Sequence, residues 1–233
     1  MASEGLPPLL SRVLDPLSRY HDHRVEGIEH VPVLGPALLV IHHSLATYDG
    51  LLLAMAVWHQ RGRMVAGLAH DRLFEVPGFA RLAERLDVRR ASPEAGRELL
   101  AQGHVVMVAP GGMWEALRPS TERYQVRWDN RKGFVRLALE AQVPLVLAAC
   151  PRADDLFDVE SHPLTEWVYD TFRLPLPMVK GRRGWPIPRP VSLVHHLSAP
   201  LHPPPYDAER EASQVDELHE RAVATMRNLL GRR

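Results

Sequence analysis

Residues 37–60 read ALLVIHHSLATYDGLLLAMAVWHQ. The run Ala37 to Ile41 is short, apolar and β-branched at its end. It follows the turn signal Gly35-Pro36, which predicts a strand buried on both faces and ending at His42. Asp49-Gly50 then opens a second apolar stretch, Leu51 to Gln60, long enough for a helix. Strand, polar loop and helix make half of a wound α/β unit. The loop between them carries two imidazoles and a carboxylate, and strand ends are where α/β proteins build sites.

Outward from this unit the alternation continues. Arg63 to Leu68 reads as a strand, Pro77 to Leu86 as a helix and Asp87 to Arg90 as extended chain. Ser92-Pro93 is an N-cap and first-turn pair for a helix to Gln102, which Gly103 ends. His104 to Ala109 is a strand running into Pro110-Gly111-Gly112, Lys132 to Ala141 a helix and Pro144 to Ala149 another buried strand. Pro175 to Pro190 is expected to wrap the surface, before a strand at Val191 to Leu197 and a closing helix from about Ala208 to Leu230. Upstream, Leu6, Leu9, Leu10, Val13, Leu14 and Leu17 draw one apolar stripe on a helix that Pro16 should kink or shorten. Such a stripe fits either packing on the core or lying on a bilayer. The expected organisation is an amphipathic N-terminal helix in residues 1–23 and one α/β domain over 24–233, a mixed central sheet flanked by helices.

The chain has 233 residues, 45% of them hydrophobic, enough for one sizeable core. Its formal net charge is zero, so nothing in the overall charge argues for nucleic acid as a partner. Cys150 is the single cysteine, which excludes an internal disulfide and suits a cytoplasmic, reducing compartment. Met1 to Pro8 lack a basic segment followed by an apolar one, so no secretory signal is expected. No apolar run approaches the roughly 20 residues of a spanning helix, so any membrane contact is expected to be peripheral.

Two segments carry candidate chemistry. In the first, His43 could accept a proton from an alcohol at neutral pH, and Asp49 could hold its other ring nitrogen if the loop curls back. Asp49 could equally cap the following helix. In the second, the glycines of Pro110-Gly111-Gly112 would let backbone N–H groups approach a ligand oxygen, although Pro-Gly-Gly is also an ordinary turn. Arg118, Arg123, Arg127, Arg131 and Lys132 form a local basic run, and Arg89-Arg90 another; both suit phosphate and both suit a solvated face. Cys150 lacks a basic partner nearby and reads as structural. The pairs His21/His23 and His195/His196 have no companion ligands, so no metal is expected. No Gly-x-Ser-x-Gly elbow is present, which argues against a serine lipase.

The order Arg24-Val-Glu-Gly-Ile-Glu-His-Val-Pro, His43 then Asp49, Val76-Pro-Gly-Phe79, Pro110-Gly-Gly-x-x-Glu115-Ala-Leu117, Trp128-x-x-Arg131-Lys-Gly-Phe134 and Val143-Pro-Leu145 resembles the lysophospholipid acyltransferase superfamily. More narrowly, it is similar to the monoacylglycerol/diacylglycerol acyltransferase-like branch. Phospholipid-making members usually have four residues between histidine and aspartate and a Pro-Glu-Gly-Thr-Arg block. This chain has five and Pro-Gly-Gly-Met-Trp-Glu, with Trp114 where that branch commonly has arginine. The resemblance implies a glycerolipid acyltransferase-like fold and transfer of a fatty acyl group from acyl-CoA or acyl carrier protein to a lipid hydroxyl, with no bound cofactor. His43 is then the general base and Asp49 its orienting partner. Gly111, Gly112, Glu115 and Arg118 serve the oxyanion and acceptor, and Arg131 and Lys132 the phosphates of the carrier. A neutral glycerolipid or long-chain alcohol is the expected acceptor. A lysophospholipid acceptor, a thioesterase, and an inactive lipid-binding protein of the same fold are the alternatives.

Overall fold

A computed structural model describes residues 8–44, 48–75, 77–116, 118–160 and 178–232. Helix α1 (Pro8–Tyr20) leads to β1 (Arg24–Glu26), β2 (Ala37–Ile41), α2 (Tyr48–Arg61), β3 (Val65–Ala69), α3 (Phe79–Arg85) and β4 (Val88–Arg90). Then come α4 (Pro93–Ala101), β5 (Val105–Val108), α5 (Gly112–Ala116), α6 (Gly133–Ala141) and β6 (Leu145–Ala149). A small hairpin of β7 (Asp158–Glu160) and β8 (Met178–Lys180), then β9 (Val194–Leu197) and α7 (Glu211–Leu230), complete the described chain.

Seven strands form one sheet in the order β1-β9-β6-β2-β5-β3-β4. The run from β6 to β4 is parallel; β9 pairs with β6 antiparallel and carries β1 parallel to itself. The sheet is mixed, as the sequence led us to expect. Its central strands are apolar throughout because both faces are covered. Leu38 and Val40 of β2, Val106 and Val108 of β5, and Leu145, Leu147 and Ala149 of β6 meet α4, α6 and α7. The alternate residues Leu39, Val105, Val146 and Ala148 meet Leu53 and Val57 of α2. The crossover through α2 carries the chain from β2 toward β3, and the one through α6 carries it back across β2 to β6. Right-handed crossovers in opposite directions place those helices on opposite faces.

Of the opening stripe, Leu10, Leu14 and Leu17 are turned inward, while Val13 is exposed. Leu14 is buried with Leu52, Met55, Cys150 and Leu156, and Leu10 and Leu17 pack against the same cluster. Pro16 lies inside α1. Leu6 and the Leu9 side chain fall outside the described residues, as does most of the Pro175 end of the surface segment. The Ser92 hydroxyl accepts from the Ala95 N–H at 3.1 Å, the cap expected of it.

Candidate active site

Because β2, β5 and β6 are parallel neighbours, they release the chain at one edge of the sheet. Segments 42–44, 109–116 with Arg118, and 150–155 meet there. Since β9 runs the other way, its first residues arrive at the same edge.

His43 leaves β2 with Nδ1 2.9 Å from the carbonyl oxygen of Ser44. A carbonyl only accepts, so Nδ1 carries the proton and Nε2 keeps the lone pair. Burial pushes the His43 pKa below its ordinary 6.5, opposed by the Ser44 carbonyl and the Glu115 charge. The imidazole is therefore neutral and able to accept a proton at neutral pH. His42 is buried; its Nε2 lies 3.2 Å from the Gln125 carbonyl and 3.8 Å from Glu115.

Asp49 lies within the first turn of α2, which starts three residues earlier than its apolar run. No hydrogen bond joins it to the His43 ring among the described residues. Its Oδ1 instead accepts from the Ser44 hydroxyl at 2.5 Å, and its Oδ2 faces His195 Nε2 at 3.8 Å. Ser44 thus joins the two expected partners, its carbonyl holding the ring and its hydroxyl the carboxylate. Loss of hydration pushes the Asp49 pKa up to about 6, and Asp154 acts in the same direction.

Glu115, at 0% exposure, ties three segments together. It accepts from the backbone N–H of His43 and of Arg127, each at 3.0 Å, and from Trp128 Nε1 at 3.4 Å. Gly111 is required by this arrangement, because a Cβ there would overlap the Glu115 side chain. Gly112 has φ +52°, and its N–H donates to the Ala109 carbonyl at 3.0 Å. That N–H closes the turn, which leaves the Gly111 N–H as the oxyanion candidate. Gly111→Ala should cost about 1–3 kcal/mol in urea unfolding, because overpacking forces Glu115 off its three donors. It should also lower any activity of His43, whose N–H Glu115 holds.

Arg118 is 4% exposed; both terminal nitrogens of its guanidinium are engaged within the fold, while its Nε is buried without a hydrogen-bond partner among the described residues. One nitrogen donates to the carbonyls of His43 (2.7 Å) and Glu115 (2.5 Å), while the other meets both oxygens of Asp154. Lys132 pairs with Asp216 of α7 at 2.7 Å. Arg123, Arg127, Arg89 and Arg90 are likewise paired, with Asp158, Glu122, Glu98 and Asp71. Arg131 differs: it donates to the carbonyls of Pro110 and Gly111 and has no carboxylate partner among the described residues. Trp114, half exposed, is covered on one face by the Arg127 guanidinium, 4.1 Å from the ring centre. Cys150 is buried, which pushes its thiol pKa well up and away from nucleophile chemistry.

The sequence reading did not single out Ser44, Asp154 or His195 as parts of this site. Ser44 stands next to His43, so its backbone role was within reach of the loop alone. Asp154 and His195 arrive from β6 and β9, and no local pattern announces them.

Residues 22–150 match the Acyltransferase family. A Bos taurus protein named "DGAT1/2-independent enzyme synthesizing storage lipids" is 31% identical over 89% of this chain and 59% of its own length. The Homo sapiens protein of that name is 30% identical over 89% and 61%. The chain therefore spans about six tenths of the length of these relatives. The crystal structure of a 1-acyl-sn-glycerophosphate acyltransferase from Thermotoga maritima superposes with a TM-score of 0.57 over 96% of this chain and 82% of the other, at 16% identity, a likeness of fold. A match over more than half of the chain, on the same ordered segments that build the edge around His43, makes this protein a member of the acyltransferase family.

Proposed function

We propose that the protein transfers a fatty acyl group from a thioester carrier, acyl-CoA or acyl carrier protein, to the hydroxyl of a neutral lipid, with His43 as general base. The observation that carries this reading is the His43 tautomer: Nδ1–H is fixed by the Ser44 carbonyl, and Nε2 remains as the proton acceptor. The acceptor hydroxyl loses its proton to Nε2 as its oxygen attacks the thioester carbonyl. The tetrahedral intermediate then expels the thiolate, which takes the proton back from the imidazolium. Backbone N–H at Gly111 is the candidate donor to the oxyanion, an interaction worth about 3–4 kcal/mol where such donors have been removed.

Arg131, beside the glycine turn and without a carboxylate partner among the described residues, suits a carrier phosphate. Lys132 is directed to Asp216 and plays no part in this reading. Met113 and Trp114, exposed just after β5, Leu73 and Leu82 after β3, and Leu51 in the first turn of α2 stand on segments at the His43 edge of the sheet. We propose these exposed apolar side chains as the surface through which a bilayer presents its lipids, since Leu10, Leu14 and Leu17 of α1 are packed on the core. Among the described residues, no helix is long and apolar enough to cross a membrane. We place the protein on the cytoplasmic face of a membrane as a peripheral enzyme.

A neutral acceptor is favoured because Arg118, the cation nearest the glycines in sequence, is taken by Asp154. An acceptor phosphate beside the reacting carbon would then lack Arg118 to offset its desolvation and would compete with the carrier phosphate for Arg131. The storage-lipid relatives point the same way. The test is kcat/KM for matched acceptors with and without the phosphate, in vesicles with acyl-CoA. Mono- or diacylglycerol should exceed lysophosphatidic acid by at least about tenfold, or roughly 1.4 kcal/mol. A tenfold preference for lysophosphatidic acid would remove the neutral-acceptor reading.

A further inference from the structure

Behind Ser44 and Asp49 the structure holds a second set of polar groups that neither the base nor the oxyanion donor uses. His195, on β9 and 1% exposed, lies between Asp49 and His23. Its Nδ1 is 2.9 Å from His23 Nε2, and its Nε2 is 3.8 Å from Asp49 Oδ2, longer than a hydrogen bond and within electrostatic contact. Asp49 is itself buried and, among the described residues, forms no ion pair with a lysine or arginine; Arg118 is given to Asp154. An ionised carboxylate only accepts, so the favourable arrangement turns a His195 Nε2–H toward it. His195 Nδ1 must then accept, and His23 Nε2–H donates. Burial lowers the pKa of both imidazoles, to about 4 for His23, which keeps the pair neutral and the tautomers distinct.

We propose that His195 is a positioning residue for Asp49: fixed by His23, it points Nε2–H at the carboxylate, holds it toward the Ser44 hydroxyl, and so braces the loop that presents His43. The inference rests on the reading of His43 as the base, and it links the segment after α1 and the edge of the sheet to that loop. The groups facing Asp49 are Ser44 from the loop after β2, Tyr48 on its own helix, His195 on β9, Cys150 after β6, and Asp154 beyond it, already neutralised by Arg118. His195 is the one N–H donor from a side chain in that set. Without it the carboxylate should protonate more readily, and the hydroxyl of Ser44 should lose its fixed acceptor.

The test uses full-length protein labelled with 13C at aspartate carboxyls and 15N in histidine rings, the Asp49 signal being assigned with Asp49→Asn. In the wild type, His195 should carry its proton on Nε2 near neutral pH. In His195→Leu the Asp49 titration should move up by at least about one pH unit, while His195→Gln, which keeps an N–H donor, should stay near wild type. In His195→Leu the acid limb of kcat/KM should move up with the Asp49 titration, above the limit that protonation of His43 sets in the wild type and in His195→Gln, a change that loss of packing alone would not produce. An unchanged Asp49 titration in a folded His195→Leu overturns the proposal. So does a His195 found with its proton on Nδ1, a measurement on the wild type that decides the matter even if the leucine variant does not fold. If the titrations behave as expected and no acyl transfer is found, the functional reading fails and the arrangement around Asp49 stands.

Discussion

His43→Ala should lower kcat/KM for acyl transfer by at least about 10²-fold while leaving urea unfolding within about 1 kcal/mol of wild type. Loss of a general base costs on that scale. Among the described residues the ring makes one local hydrogen bond, to the carbonyl of its own neighbour, so its removal leaves few partners unsatisfied. The neighbouring residue should behave in the opposite way. His42 faces the Gln125 carbonyl and Glu115 inside the fold, so His42→Ala should act through stability more than through the chemical step. The pH profile carries a second expectation. Burial depresses the His43 pKa, so protonation of the base becomes limiting only below its ordinary value of 6.5, and the acid limb of the wild type should lie there. Turnover in His43→Ala comparable to wild type would remove His43 from the chemistry.

Arg118→Met should destabilise the protein by about 3–5 kcal/mol. The guanidinium and the Asp154 carboxylate are 3% and 6% exposed, and removing one partner leaves the other buried without its counter-charge. The same side chain holds the carbonyls of His43 and Glu115, so the base would lose its mounting as the fold weakens. Arg118→Lys should recover little, because an ammonium cannot reach two carbonyls and both carboxylate oxygens at once. A ligand-binding arginine would behave otherwise: stability within about 1 kcal/mol of wild type, with KM raised for a phosphate-bearing acceptor alone. Urea unfolding and acceptor kinetics on one preparation distinguish the two.

This contrast marks what the sequence could convey. Ala37 to Ile41, Val105 to Val108 and Leu145 to Ala149 announce themselves as doubly buried strands because every residue is apolar, and their alternation with helices led directly to the sheet. β1 carries no such signal, because its three residues include Arg24 and Glu26, and an edge strand with polar ends has no clear period. The strands of the β7–β8 hairpin are equally short, three residues each, and too brief to show a period. His43, Gly111 and Glu115 were legible from ordered local motifs. The basic run was legible as charge only: Lys132 finds Asp216 on the last helix, and Arg118 finds Asp154 after β6. Such pairings are set by the fold, so a list of cations cannot say which of them face a ligand. The interval from His43 to Asp49 misled for a related reason. Six positions suggested a loop curling back for direct contact, but α2 begins at Tyr48 and fixes Asp49 in its first turn, where Ser44 completes the link.

The most direct measurement follows the label in a purified preparation given acyl-CoA with a 13C-labelled acyl chain and vesicles containing diacylglycerol. The account predicts that labelled triacylglycerol accumulates in step with released CoA, and that His43→Ala forms almost none. Labelled free fatty acid in step with CoA, without ester, would contradict it by making water the acceptor, and ester formed equally well by His43→Ala would contradict the assignment of the base.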